Sequence, residues 1–217
     1  MQKELTNKDL LHFLKSKHLN AGFVDRLKIH YRPLVCPYVS LINMVKTGDK
    51  VGDIGCGSGQ FFFLLSAFAR PAALYGIEIS DKLIRNANNL LADSKISQIR
   101  FDKYDGIHFP EHLLQMDIIF LIDVLHHVPK PNQQQFLISL ATRIKRGAKL
   151  VIKDINAANM LVYFNKMHDL IFAGEIGNEL PAEHVQDVLK SNGLEIADLK
   201  KRIMYVYPHY TIVATKP

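Results

Sequence analysis

The chain has 217 residues, 48% of them hydrophobic and 22% charged, which is enough apolar content to bury a sizeable core and excludes a disordered chain. Its formal charge is +6, but the basic residues are scattered, and the densest run, "LKKRIM" at 199–204, reads as a solvated face rather than a nucleic-acid footprint. Cys36 and Cys56, without CxxC or Cys/His spacing, exclude a disulfide framework or zinc module and point to a reducing, cytoplasmic setting.

The first twenty residues carry charge throughout and lack the apolar centre of a signal peptide. No apolar run reaches the roughly 18 residues that span a bilayer, so a soluble protein is expected. Residues 6–46 read as helices: Thr6 and Asp9 form a capping-box-like start, and Leu10, Leu11 and Leu14 follow at helical spacing. Pro33 and Pro37 interrupt before "YVSLINMVKTGD", where Gly48 marks a stop. Short apolar runs then alternate with helical stretches. Strands are predicted near 50–54, 73–79, 98–103, 116–122 and 148–154, with helices near 59–69, 81–93 and 133–145. Such alternation implies a parallel sheet with right-handed crossovers. A helix over 181–190 precedes "RIMYVYP" and "HYTIVAT", which are predicted to pair as an antiparallel hairpin turning near Pro208.

The stretch "VGDIGCGSGQ" at 51–60 joins the first strand to a helix that is apolar nearly all round. Glycines in such a turn bring backbone N–H groups and the positive end of a helix toward a ligand at the carboxyl ends of the strands. The spacing is not the dinucleotide GxGxxG, because Gln60 occupies the third glycine position, and the GK[ST] ending of a P-loop is absent. Asp53, just before the turn, repels pyrophosphate and suits an ammonium group. Glu78 closes the second strand, where a carboxylate accepts hydrogen bonds from a ribose diol. Asp105 ends the third, placed for an adenine amino group. Three acids at successive strand ends describe a ligand with an amine, a ribose and a base but no phosphates, which is the chemistry of S-adenosylmethionine.

The pieces "VGDIGCGSG", "GIEIS", "FDKYDG", "MDIIFLIDVLHHVP" and "KRGAKLVIKD", in this order, resemble the class I S-adenosylmethionine-dependent methyltransferases of the small-molecule type. The resemblance covers about residues 45–155 and extends more loosely to the C-terminus. It implies a Rossmann-like α/β fold with a seven-stranded sheet ordered 3-2-1-4-5-7-6, strand 7 antiparallel, and helices on both faces. One methyltransferase domain over 1–217 is expected, with a helical cap at 1–46, a cofactor-binding core at 47–155, and a lid helix and hairpin at 156–217. The cofactor implied is S-adenosyl-L-methionine. It implies Asp53, Gly55, Cys56 and Gly57 at the methionine end, Glu78 on the ribose, Ile79 on the adenine face, Asp105 and Gly106 at the adenine, and Asp123 along the methionine.

Methyl transfer to a hydroxyl or carbon needs alignment with the S–CH₃ bond and a base for the leaving proton. His126 and His127 in "LHHVP" are the catalytic candidates, and the resemblance to quinone-biosynthesis methyltransferases places a histidine at 127. Met160, Leu161, Phe164, Met167 and Ile171 form a helical stripe, with Asn159, Tyr163, Lys166 and Asp169 elsewhere around the helix. As a lid it favours a partly apolar metabolite as acceptor. Tyr31 and Tyr38 mark the cap as a second lid. The nucleobase-methyltransferase motif with two prolines is missing after the fourth strand, and "KDIN" separates Asp154 from Asn156, so neither DNA-base methylation nor a metal is favoured. The competing readings are a methyltransferase of RNA or protein side chains, prompted by the positive charge, and a non-catalytic cofactor-binding module.

Overall fold

In the computed structural model of the protein, the described residues are 4–16, 31–158 and 177–217. Seven strands form one sheet: β1 (Lys50–Ile54), β2 (Ala73–Glu78), β3 (Ile99–Lys103), β4 (Ile118–Ile122), β5 (Lys149–Ile155), β6 (Glu195–Met204) and β7 (Tyr207–Thr215). Their order is β3-β2-β1-β4-β5-β7-β6. The first five strands are mutually parallel, and β7 runs antiparallel to both β5 and β6. The central strands read as unbroken apolar runs because both faces are covered; every residue of β2 and β4 is buried.

Alternating side chains feed two cores. On one face, Val51, Leu74, Phe120 and Val151 pack against α1 (Asn7–Ser16), α2 (Tyr38–Ile42), α3 (Gln60–Phe68) and α4 (Asp81–Leu90). On the other, Ile54, Ile119, Leu121 and Ile152 meet α5 (Glu111–Leu114), α6 (Lys130–Arg143) and α7 (Ala182–Ser191). The four-residue α5 is an element the sequence reading lacked. In α3, Phe61, Phe62, Leu64 and Leu65 are all buried, each worth about 1.5–3 kcal/mol. The expected cap of α1 is present and reciprocal: Asp9 N–H donates to Thr6 Oγ1 at 3.3 Å, and Thr6 N–H donates to Asp9 Oδ2 at 3.0 Å.

The tail hairpin departs from its expected bounds. β6 begins at Glu195, seven residues before "RIMYVYP", and the turn falls at Tyr205 and Val206 rather than at Pro208. Pro208 sits in β7 opposite Ile203, beyond the stretch paired with β5, so its missing N–H leaves that ladder intact. Lys200, Lys201 and Arg202 are exposed on the edge strand, where charge discourages pairing with a further strand. No described helix is long and apolar enough to cross a membrane. The lid stripe over 159–171 lies outside the described residues.

Candidate active site

The turn after β1 is fixed by the neighbouring strand and shaped by its glycines. Gly55 and Cys56 both donate their N–H to the Ile77 carbonyl, at 2.8 and 3.1 Å. Gly55 has φ of 68°, and a Cβ there would stand 2.5 Å from Val124 Cγ2, so the turn packs directly on the loop after β4. Gly57, φ 55°, differs: a Cβ on it would meet nothing within 4 Å. Its N–H donates to Glu78 Oε2 at 3.0 Å, and Ser80 N–H donates to Glu78 Oε1 at 3.0 Å. Each carboxylate oxygen keeps a lone pair for a further donor. Asp53 and Glu78 are both buried at the tips of adjacent strands. Burial, opposed by Arg32 and reinforced by Glu78, pushes the Asp53 carboxyl well above the usual carboxylate range.

The third acid is engaged locally. Asp105 is exposed and accepts from the N–H groups of Ile107 and His108, both at 2.7 Å, with His108 Nδ1 at 2.7 Å from its other oxygen. The His108 N–H, the His108 ring and the Ile107 N–H together lower its carboxyl to about 2. It braces the turn at Gly106, whose φ is 84°. Ile79 is 65% exposed after β2, and Ile107, which the sequence reading missed, is 69% exposed after the Asp105 turn. Cys56 is buried with its thiol pushed up by burial and then by Asp53 and Glu78, the opposite of an activated nucleophile.

Beyond β4 the chain turns through Asp123 at φ 56°, and its N–H donates to the Lys153 carbonyl at 2.9 Å. The Asp123 carboxylate is paired with Lys153 Nζ and lies 3.5 Å from the Arg32 guanidinium. Burial raises this carboxyl, but Lys153 and Arg32 outweigh burial and hold it well below the usual range. A 3-10 turn over Leu125–His127 follows. It separates the two histidines: His126 is buried and His127 exposed. His126 Nδ1 is 2.5 Å from Asp154 Oδ1, and the His126 N–H donates to Asp154 Oδ2 at 3.3 Å. Among the described residues no group of His, Cys, Asp and Glu is placed to hold a metal ion.

Arg32, Lys153 and Asp154 also escaped the sequence reading as site residues. A signal existed for the strand pair, since consecutive charges near the carboxyl end of an otherwise apolar strand, "LVIKDI", contradict a fully buried strand without a site. Arg32 left none, because its partner is 91 residues away in sequence.

A parallel sheet in this order, closed by an antiparallel β7, with a glycine turn after β1 and buried carboxyls at the tips of β1 and β2, is that of the class I methyltransferases. The chain belongs to the methyltransferase-domain family, which its residues 45–207 match. It is 25% identical over 190 residues to the 27-O-demethylrifamycin SV methyltransferase of Amycolatopsis mediterranei, covering 79% of this chain and 63% of that one. It is 31% identical over 135 residues to the ubiquinone biosynthesis O-methyltransferase of Coxiella burnetii, covering 62% and 53%. The chain thus spans between half and two thirds of the length of these relatives. In fold it is similar to the magnesium protoporphyrin IX methyltransferase of Synechocystis PCC 6803 with bound SAH, at TM-score 0.66 and 21% identity, covering 99% and 96%. It is also similar to the putative methyltransferase solved with the Trm112 activator of Haloferax volcanii, at TM-score 0.72 and 14% identity, covering 89% and 93%.

Proposed function

We propose that the protein transfers the methyl group of S-adenosylmethionine to a small, partly apolar metabolite. The observation that carries this reading is the pair of buried carboxyls, Asp53 and Glu78, on either side of a glycine whose side-chain position is open space. The residues fit the cofactor by charge and by hydrogen-bonding capacity. Asp53 answers the ammonium, Asp123 lies along the methionine, and the free lone pairs of Glu78 answer the ribose diol. Gly55, Cys56 and Gly57 present backbone at the methionine end. Ile79 and Ile107 offer two exposed apolar surfaces for the faces of the adenine, and the Asp105–Gly106 turn bounds its edge. When bound, the cofactor supplies an activated methyl. The protein's part is to align the acceptor and exclude water, effects worth about 7–11 kcal/mol in well-oriented reactions.

His126 is the better placed of the two candidate bases. Asp154 accepts from Nδ1–H, which fixes the orientation of the ring and leaves Nε2 as the nitrogen turned away from Asp154. His127, exposed beside it with ring centroids 4.1 Å apart, is assigned to the rim. The O-methyltransferase names of the two relatives support an oxygen acceptor on a small molecule. Isothermal titration with S-adenosylmethionine and with S-adenosylhomocysteine, the SAH of the Synechocystis structure, tests the reading. Binding of both at micromolar or tighter affinity is expected, with no heat from NAD. Binding of NAD in place of either would overturn it.

A further inference from the structure

The face of the sheet beneath the N-terminal cap carries polar groups past the point where a methionine moiety ends. Asp53 on β1, Asp123 after β4, Lys153 on β5 and His209 on β7 follow one another across the strand tips. Arg32 reaches them from the cap, through Asp123. Their charges do not balance. Two cations, Arg32 and Lys153, share the carboxylate of Asp123, while Asp53 answers the ammonium of the cofactor in the reading above. Lys153 is 1% exposed, and among the described residues it spends one of its three N–H groups, on Asp123.

His209 sharpens the imbalance. It is 5% exposed, and neither ring nitrogen has a hydrogen-bond partner among the described residues. The Val35 carbonyl approaches the ring without completing a hydrogen bond. Burial and then Lys153 lower its pKa to about 4, so near neutral pH the ring carries one N–H donor and no charge. Buried imidazoles are ordinarily hydrogen-bonded, and one left empty beside surplus cations marks a place a ligand group fills.

We propose that Arg32, Lys153 and His209 form an anion subsite next to the cofactor crevice, and that the methyl acceptor carries a carboxylate seated in it. This rests on the methyltransferase reading above and names its substrate class. A carboxylate satisfies each donor by kind: a planar fork for the guanidinium, a point charge for the ammonium, a neutral N–H for the imidazole. The methionine carboxylate is the other source of the same chemistry. Position separates the two at His209, because β7 lies two strand spacings, about 10 Å, from β4, whereas Arg32 and Lys153 meet at Asp123 beside the β4 tip, within reach of either carboxylate. An apolar body with one acid group also agrees with a partly apolar acceptor.

The experiment titrates benzoate, salicylate and indole-3-acetate, each against its neutral amide, into the 217-residue chain with SAH at saturation, by calorimetry and ligand-observed NMR. At least one acid is expected to bind tenfold or more tighter than its amide. His209→Leu should cut that preference below threefold with SAH affinity kept, and His209→Gln, which retains a donor, should restore part of it. Equal binding of acids and amides, binding of none of the acids, or full preference in folded His209→Leu protein overturns the proposal. So does Arg32→Gln protein that loses SAH affinity but keeps that for 5′-methylthioadenosine, which lacks the carboxylate, while its acid preference is intact. Acid preference in a protein that binds no SAH would uphold the subsite and sink the methyltransferase reading instead.

Discussion

Asp53 and Glu78 are buried at neighbouring strand tips, yet they predict different behaviour. Glu78 accepts from Gly57 and Ser80 through its two oxygens, so it shapes the loop, and in the proposed site it also faces the ribose. Glu78→Ala removes two charge-assisted acceptors for the ribose, each worth about 1.5–3 kcal/mol when desolvated. Calorimetry should show S-adenosylmethionine affinity reduced by roughly a hundredfold; a loss under threefold would remove Glu78 from the site. Asp53 predicts a pH dependence. Its carboxyl is raised in the free protein, and a bound cation favours the ionised form, so binding releases a proton wherever the free carboxyl is protonated. Affinity for S-adenosylmethionine should therefore rise with pH up to the free-state pKa of Asp53 and level off above it. Asp53→Asn should bind weakly and without that rise. The sign of the effect for stability is opposite: the folded state binds the proton more tightly than the unfolded chain, so this group's contribution falls as pH rises through the same window.

Elements were legible in the sequence where local chemistry and tertiary fate agree. The strand β4 is apolar throughout and is buried throughout, and the Thr6–Asp9 pair caps the helix it was expected to cap. The hairpin was misplaced because Pro208 reads locally as a turn, while the true turn at Tyr205 and Val206 is made by residues with no turn preference; Tyr205 takes φ of 56°. Within the candidate site, the acids stand out by position at strand ends, whereas the proposed places of Arg32 and His209 depend on contacts between segments far apart in the chain. Asp154 was noticed only as part of a failed metal motif, because nothing local pairs it with His126. The helix α1 gives an elemental prediction. Its fully buried Leu10 and Leu14 are what dock it, since its remaining residues are exposed or only partly buried. Leu14→Ala should cost about 2–5 kcal/mol by chemical denaturation. A cost under 1 kcal/mol would show that the helix adds nothing to the fold.

The two cores lie on opposite faces of one sheet, and the central strands feed both: β1 gives Val51 to one and Ile54 to the other, and β5 gives Val151 and Ile152. Neither layer of helices can separate without exposing apolar strand residues that the remaining layer leaves bare. The described parts of cap, core and hairpin should then unfold together, as one calorimetric transition with van 't Hoff and measured enthalpies in agreement. A ligand lying across the tips of β1, β2 and β4 binds only when those strands are in register. At a free concentration one hundred times its dissociation constant, SAH should add about 2.7 kcal/mol to stability. For a chain of 217 residues, at roughly 2–4 °C for each kcal/mol, the whole transition should move up by about 5–11 °C. A cap that folds independently would instead give a second, earlier transition unmoved by SAH. Splitting of that kind would place the cap outside the cooperative unit and detach Arg32 from the ligand that the sheet holds.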